Sequence, residues 1–113
     1  MVAEVMKKWT EFVAAFNALG DETRGMTPIE AGVLFLAAVN YEKKIYDGYL
    51  SIPTMVPEFV LCSGEKTVDI RYAYSGCREF WDIDLNHPRA RITQSGIAYV
   101  NKHIDVFVKL LGK

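Results

Sequence analysis

The sequence predicts an α+β fold: two N-terminal helices, a small antiparallel sheet dominated by a β-hairpin, and a C-terminal helix, in a single domain over residues 1–113. Three observations predict it. Val68, Ile70, Tyr72 and Tyr74 alternate with Asp69, Arg71 and Ala73, the period of two that half-buries a strand. Thr27-Pro-Ile-Glu30 has the makings of a capping box, with Thr at the cap, Pro at the first helical position and Glu at the third. Segments 2–19 and 97–111 repeat their apolar residues at the spacing of an amphipathic helix.

The first helix is expected over 2–19. Val2, Val5, Met6, Trp9, Phe12, Val13, Phe16 and Leu19 form one stripe, with Glu4, Lys7, Lys8 and Glu11 opposite. Gly20-Asp-Glu-Thr-Arg-Gly25 then breaks the helix. The second helix starts at the Thr27 box and is apolar on all sides from Ala31 to Val39, which places it at the centre of the core. Asn40 to Tyr46 extend it and Gly48 ends it. Pro53 and Pro57 exclude one regular helix or central strand across 49–64. The expectation there is a short strand at 58–62, with a short helix from Ser51 or Thr54 as the alternative.

Strands 67–74 and 77–85 pair in this reading about a Ser75-Gly76 turn. That register sets Ile70 opposite Trp81 and Val68 opposite Ile83 on one face. Asn86-His-Pro88 closes the hairpin, Arg89 to Ile92 form a brief third strand, and Thr93 caps the last helix, although the full box at Thr27 predicts the stronger cap there. On the last helix Ile97, Val100, Ile104, Phe107, Val108 and Leu111 make one apolar stripe. Tyr99, Val106 and Leu110 lie beside it. Either the helix lies deep in its own core or the extra face meets a second copy. The second option predicts a homodimer with Tyr99, Val106 and Leu110 at its interface.

Half of the 113 residues are hydrophobic and 24% are charged, a globular composition, and the formal net charge is −1. Nucleic-acid binding would therefore rest on uneven placement of charge. The opening Met1-Val-Ala-Glu-Val-Met-Lys-Lys8 lacks the layout of a signal peptide, and the apolar run 31–39 is far short of the ~20 residues that span a bilayer. The expected setting is cytoplasmic and away from membranes, with Cys62 and Cys77 as reduced thiols.

No phosphate loop, metal-spaced Cys/His cluster or nucleophile elbow is present in the sequence, so neither catalysis, cofactor nor metal is expected. Cys77 and His87 would lie roughly 33 Å apart along an extended strand, too far to act together. Asp69, Asp82 and Asp84 share a face in the register above, with Asp69 opposite Asp82. Such carboxylates hold a divalent cation or, more plainly, join Arg71 and Arg78 in a solvated mixed-charge surface. His103, between Tyr99 and Phe107, reads as a packed imidazole, and Trp9 and Trp81 occupy core positions.

Met26-Thr-Pro-Ile-Glu-Ala-Gly-Val-Leu-Phe-Leu36 resembles the capped first helix of the helix-turn-helix in MarR-like and PadR-like winged-helix regulators. Phe80-Trp-Asp-Ile-Asp-Leu85 and Ala90-Arg-Ile-Thr-Gln-Ser-Gly-Ile-Ala-Tyr-Val100 look like the outgoing wing strand and the "L-T-x-x-G" start of the C-terminal helix in the same family. Asn17-Ala-Leu-Gly-Asp-Glu-Thr-Arg24 is similar to an ArsR-like phrase. The resemblance covers about half of the chain with short motifs. It implies a winged-helix-like topology with 67–85 as the wing, and DNA contacts from Lys66, Arg71, Arg78, Arg89 and Arg91. Residues 45–62, where the recognition helix would lie, contain no Lys or Arg, so the fold could equally serve as a protein-interaction surface.

The function expected is that of a small non-enzymatic binding protein, most concretely a winged-helix-like DNA-binding regulator. One alternative is a protein-interaction or assembly module without DNA binding. Another is a small-molecule-binding domain with an aromatic pocket of Tyr41, Tyr46, Tyr49, Tyr72 and Trp81.

Overall fold

The computed structural model describes residues 2–43, 49–51, 78–84 and 89–111, with side chains over 7–43, 78–82 and 90–110. Helix α1 (Val2–Asn17) buries Phe12 and Phe16 completely. Their spacing of four brings the rings together at 5.8 Å between centroids. Trp9 and Val13 pack partly against the same core. The helix stops two residues short of Leu19, and the expected break is itself ordered as a 3-10 turn, Gly20–Thr23. Left-handed backbone at Gly20 (φ 60°), Arg24 (φ 57°) and Gly25 (φ 80°) reverses the chain, which explains a glycine at either end.

Helix α2 (Pro28–Lys43) begins as its capping box predicts. The Thr27 N–H donates to Glu30 Oε1 at 3.0 Å, and the Glu30 N–H donates to Thr27 Oγ1 at 3.2 Å. Ala31, Gly32, Val33, Leu34, Phe35 and Ala37 are all buried, so α2 is the central helix its all-round apolarity requires.

Among the described residues the sheet has three antiparallel strands, β1 (Tyr49–Ser51), β2 (Trp81–Asp84) and β3 (Arg89–Ile92), in the order β1-β3-β2. Trp81 pairs with Ile92, Asp82 with Arg91, Ile83 with Ala90 and Asp84 with Arg89. β1 lies on the other side of β3, with Leu50 opposite Ala90. The third strand is thus the central one. A strand at 49–51 was not expected from sequence; three residues are too few to show a period, and the ladder with β3 defines it.

The hairpin expectation needs correction. Residues 67–74 and the Ser75-Gly76 turn lie outside the described residues, as do 58–62, but 77–85 is not one strand. Arg78–Phe80 form a 3-10 turn, and the strand starts only at Trp81. A strand sends neighbouring side chains to opposite faces, so Phe80 and Trp81 could not both reach the core from one. With the turn in place both are buried. Thr93 holds that turn: its N–H donates to Phe80 O at 2.8 Å and its hydroxyl to Glu79 O at 2.8 Å.

The same hydroxyl accepts the Gly96 N–H at 3.2 Å and so caps α3 (Gln94–Lys102), as the sequence indicated. Gly96 sits where no side chain fits, since a Cβ there would come within 2.6 Å of Ile92 Cγ1 and 3.0 Å of Phe80 O. The expected long C-terminal helix is broken at His103 (φ −111°, ψ 31°) and resumes as α4 (Ile104–Phe107) and a 3-10 turn, Val108–Leu111. The break turns Phe107 fully into the core and leaves Ile104 40% exposed.

Because Thr93 both caps α3 and ties down the turn before β2, its loss should exceed that at Thr27, reversing the order the sequence suggests. Thr93→Ala is expected to cost about 2 kcal/mol and Thr27→Ala about 1 kcal/mol in urea unfolding. A smaller loss at Thr93 than at Thr27 would show that the bond to Glu79 contributes nothing.

Candidate functional site

Of the five basic residues expected to contact DNA, Lys66 and Arg71 lie outside the described residues. Arg78 is exposed at the start of the 3-10 turn. Arg89 and Arg91 alternate along the central strand β3, opposite Asp84 and Asp82 in the ladder. Arg91 is half-buried and donates to Asp82 Oδ2 at 3.1 Å. Asp82 thus has an arginine across the ladder on the β3 side, where opposite charges in register stabilise a sheet. Among the described residues no group of three or more His, Cys, Asp or Glu could hold a metal ion. No described helix is long and apolar enough to cross a membrane.

Arg24, absent from the expected contacts, meets the same turn from the other side. Its guanidinium ion-pairs with Glu79 and lies 5.7 Å from the centroid of the Phe80 ring. Left-handed backbone at Arg24 aims it there. The sequence displayed Arg24 within the ArsR-like phrase but gave no sign that it would reach residue 79.

Tyr99, expected at a dimer interface, is a core residue. It is buried against Phe80, its ring 4.9 Å away, and its hydroxyl donates to the Glu22 carbonyl at 2.7 Å. Tyr99 lies in α3 ahead of the break at His103, and the contacts with Phe80 and Glu22 draw it inward. Val106 and Leu110 are half-buried and pack against the chain's own core.

Glu22 joins the first 3-10 turn to the helix break. Its Oε2 accepts from Lys102 Nζ at 3.3 Å and lies 3.4 Å from His103 Nε2, which no hydrogen bond satisfies among the described residues. The hydrogen bond from Lys102, then the lysine's charge, hold the Glu22 carboxyl below the ordinary glutamate value. A carboxyl whose pKa is lower folded than unfolded contributes stability above the unfolded value and loses it as pH falls through the folded one. Both groups face solvent, so the effect is small. Glu22→Gln should therefore destabilise slightly at neutral pH, and the difference from the parent should vanish as pH drops below the glutamate range. A difference that persists unchanged in acid would assign the effect to packing.

Of the aromatic pocket expected from Tyr41, Tyr46, Tyr49, Tyr72 and Trp81, only the Tyr41 and Trp81 side chains lie among the described residues. Trp81 is in the core, and Tyr46 and Tyr72 lie outside the described residues. Tyr49 pairs with Arg91 in the ladder. Tyr41 instead helps to line a groove of about 320 Å³ between α2 and α3. Phe35, Ala38, Ile97 and Val100 form its apolar floor, and Tyr41, Glu42, Gln94 and Ile104 its rim. Gln94 Nε2 donates to the Tyr41 hydroxyl at 3.2 Å and bridges the two helices at one end. The residues of each wall recur at spacings of three and four, so each wall is one helix face. Sequence alone shows both faces but not that they meet.

No family model, curated protein or solved structure matches this chain.

Proposed function

We propose that this chain is a small non-enzymatic binding protein, most concretely a winged-helix-like regulator that binds duplex DNA through the β2–β3 hairpin. One observation carries the reading: an antiparallel hairpin with two alternating arginines on its returning strand runs directly into the Thr93-capped helix. That junction is one of the two on which the sequence resemblance rests. Arginines spaced by two along a strand share a face and can meet successive phosphates. Asp82 partly neutralises Arg91, so affinity would be modest and strongly salt-dependent.

Titration of fluorescent duplex DNA at two salt concentrations tests this. With about three phosphates neutralised, doubling the salt should weaken binding roughly sixfold. Arg89→Ala or Arg78→Ala should lower affinity and reduce the salt slope by about one. No binding at low salt and micromolar protein would remove the DNA reading.

A second reading, a self-associating or protein-binding module, draws on Ile104, which is 40% exposed, and on Val106 and Leu110, which the core only partly covers. Apolar side chains left partly in water favour covering by a second chain. In this reading the native chain sediments as a homodimer, and the Val106→Lys, Leu110→Lys double variant is a folded monomer. A native monomer at tens of micromolar, or an unfolded double variant, would count these residues as core.

A further inference from the structure

We propose that the groove between α2 and α3 is a binding site for a small organic cation with a flat apolar body, such as an arylalkylamine. The site shares no residue with the hairpin and does not depend on the DNA reading.

The volume of about 320 Å³ falls at the lower end of ligand pockets, enough for a single ring with a short side chain. Gln94 to Asn101, both lining the groove, is seven residues of α3, or roughly 10 Å at the helical rise, and Ile104 of α4 extends the groove past the helix break. The apolar floor of Phe35, Ala38, Ile97 and Val100 gains from covering by a flat hydrocarbon. Among the described lining residues Glu42 carries the only charge, and it is negative. It stands one turn beyond Ala38 on α2, next to Tyr41. Carboxylate and phenol ring flank the same end, where an ammonium group gains from both the charge and the ring face. The Gln94 bond to the Tyr41 hydroxyl holds that ring in place before any ligand arrives. An anionic ligand of the same shape would meet the Glu42 carboxylate unfavourably, so charge sets selectivity and the floor supplies affinity.

The test is titration of the isotope-labelled protein with phenethylamine, 2-phenylethanol and phenylacetate, followed in amide ¹H–¹⁵N spectra. Phenethylamine is expected to shift amides of residues 38–42 and 94–101 and to saturate below about 10 mM, as a ligand of its size should. The alcohol should bind roughly three- to fivefold more weakly and the acid more weakly still. In Glu42→Gln, a change at an exposed position, the amine should lose its advantage over the alcohol while the alcohol binds as before. Shifts scattered over the surface, or none that saturate, would overturn the site. An amine preference that survives in Glu42→Gln would overturn the assignment of cation recognition to that carboxylate.

Discussion

Phe107→Ala is expected to cost about 3–5 kcal/mol of unfolding free energy, among the largest losses from any single substitution in the chain. Phe107 is fully buried and meets three other aromatic rings, at 5.8 Å from Phe12, 5.5 Å from Phe35 and 6.1 Å from Tyr99. Truncation removes the transfer energy of a whole phenyl ring. It also leaves a cavity among α1, α2 and α3, whose own packing prevents collapse. Each aromatic pair adds roughly 0.5–1.5 kcal/mol beyond area. Phe107→Leu keeps most of the volume and should lose far less, about 1.5 kcal/mol. Urea unfolding of both variants gives the comparison. If alanine and leucine prove equally mild, the three helices do not meet at this ring.

Trp81→Ala is expected to cost a similar 3–5 kcal/mol, for a different structural reason. Trp81 is 5% exposed and opens β2, where it pairs with Ile92, itself almost fully buried. Its indole covers the junction at which a 3-10 turn becomes a strand. Alanine there should expose the start of the β2–β3 ladder to solvent, so early amide exchange at Trp81 and Ile92 should accompany the loss of stability. A cost below about 1 kcal/mol would place the indole outside the core.

Several features were legible because their causes are local. The Thr27 box and the Thr93 cap each join residues three apart, and the run from Ala31 to Val39 is apolar on every side. The strand at Arg89–Ile92 and the α+β character followed from the same kind of pattern. One sign that 77–85 would not be a single strand was also present: Phe80 and Trp81 are adjacent aromatics, and a half-buried strand accepts only one of such a pair on its core face. The candidate site was less legible. Arg89 and Arg91 were visible as alternating cations, but their pairing with aspartates is a matter of register. The groove needs two helix faces to meet, and no pattern within either helix says which face will be shared.

The sequence by itself determined where helices α2 and α3 begin, that α2 lies at the centre, and that small antiparallel strands accompany the helices. Each of these rests on interactions within a turn or on periodicity along one element. Tertiary structure alone decided that Arg78–Phe80 would coil, that the last helix would break at His103, and that Tyr99 would be core. These outcomes rest on hydrogen bonds between residues far apart in the chain, 14 positions for Thr93 with Glu79 and 77 for Tyr99 with Glu22. Such contacts have no local signature. They form only when burying Phe80, Tyr99 and Phe107 together outweighs the regular helix and strand that their own neighbours would favour.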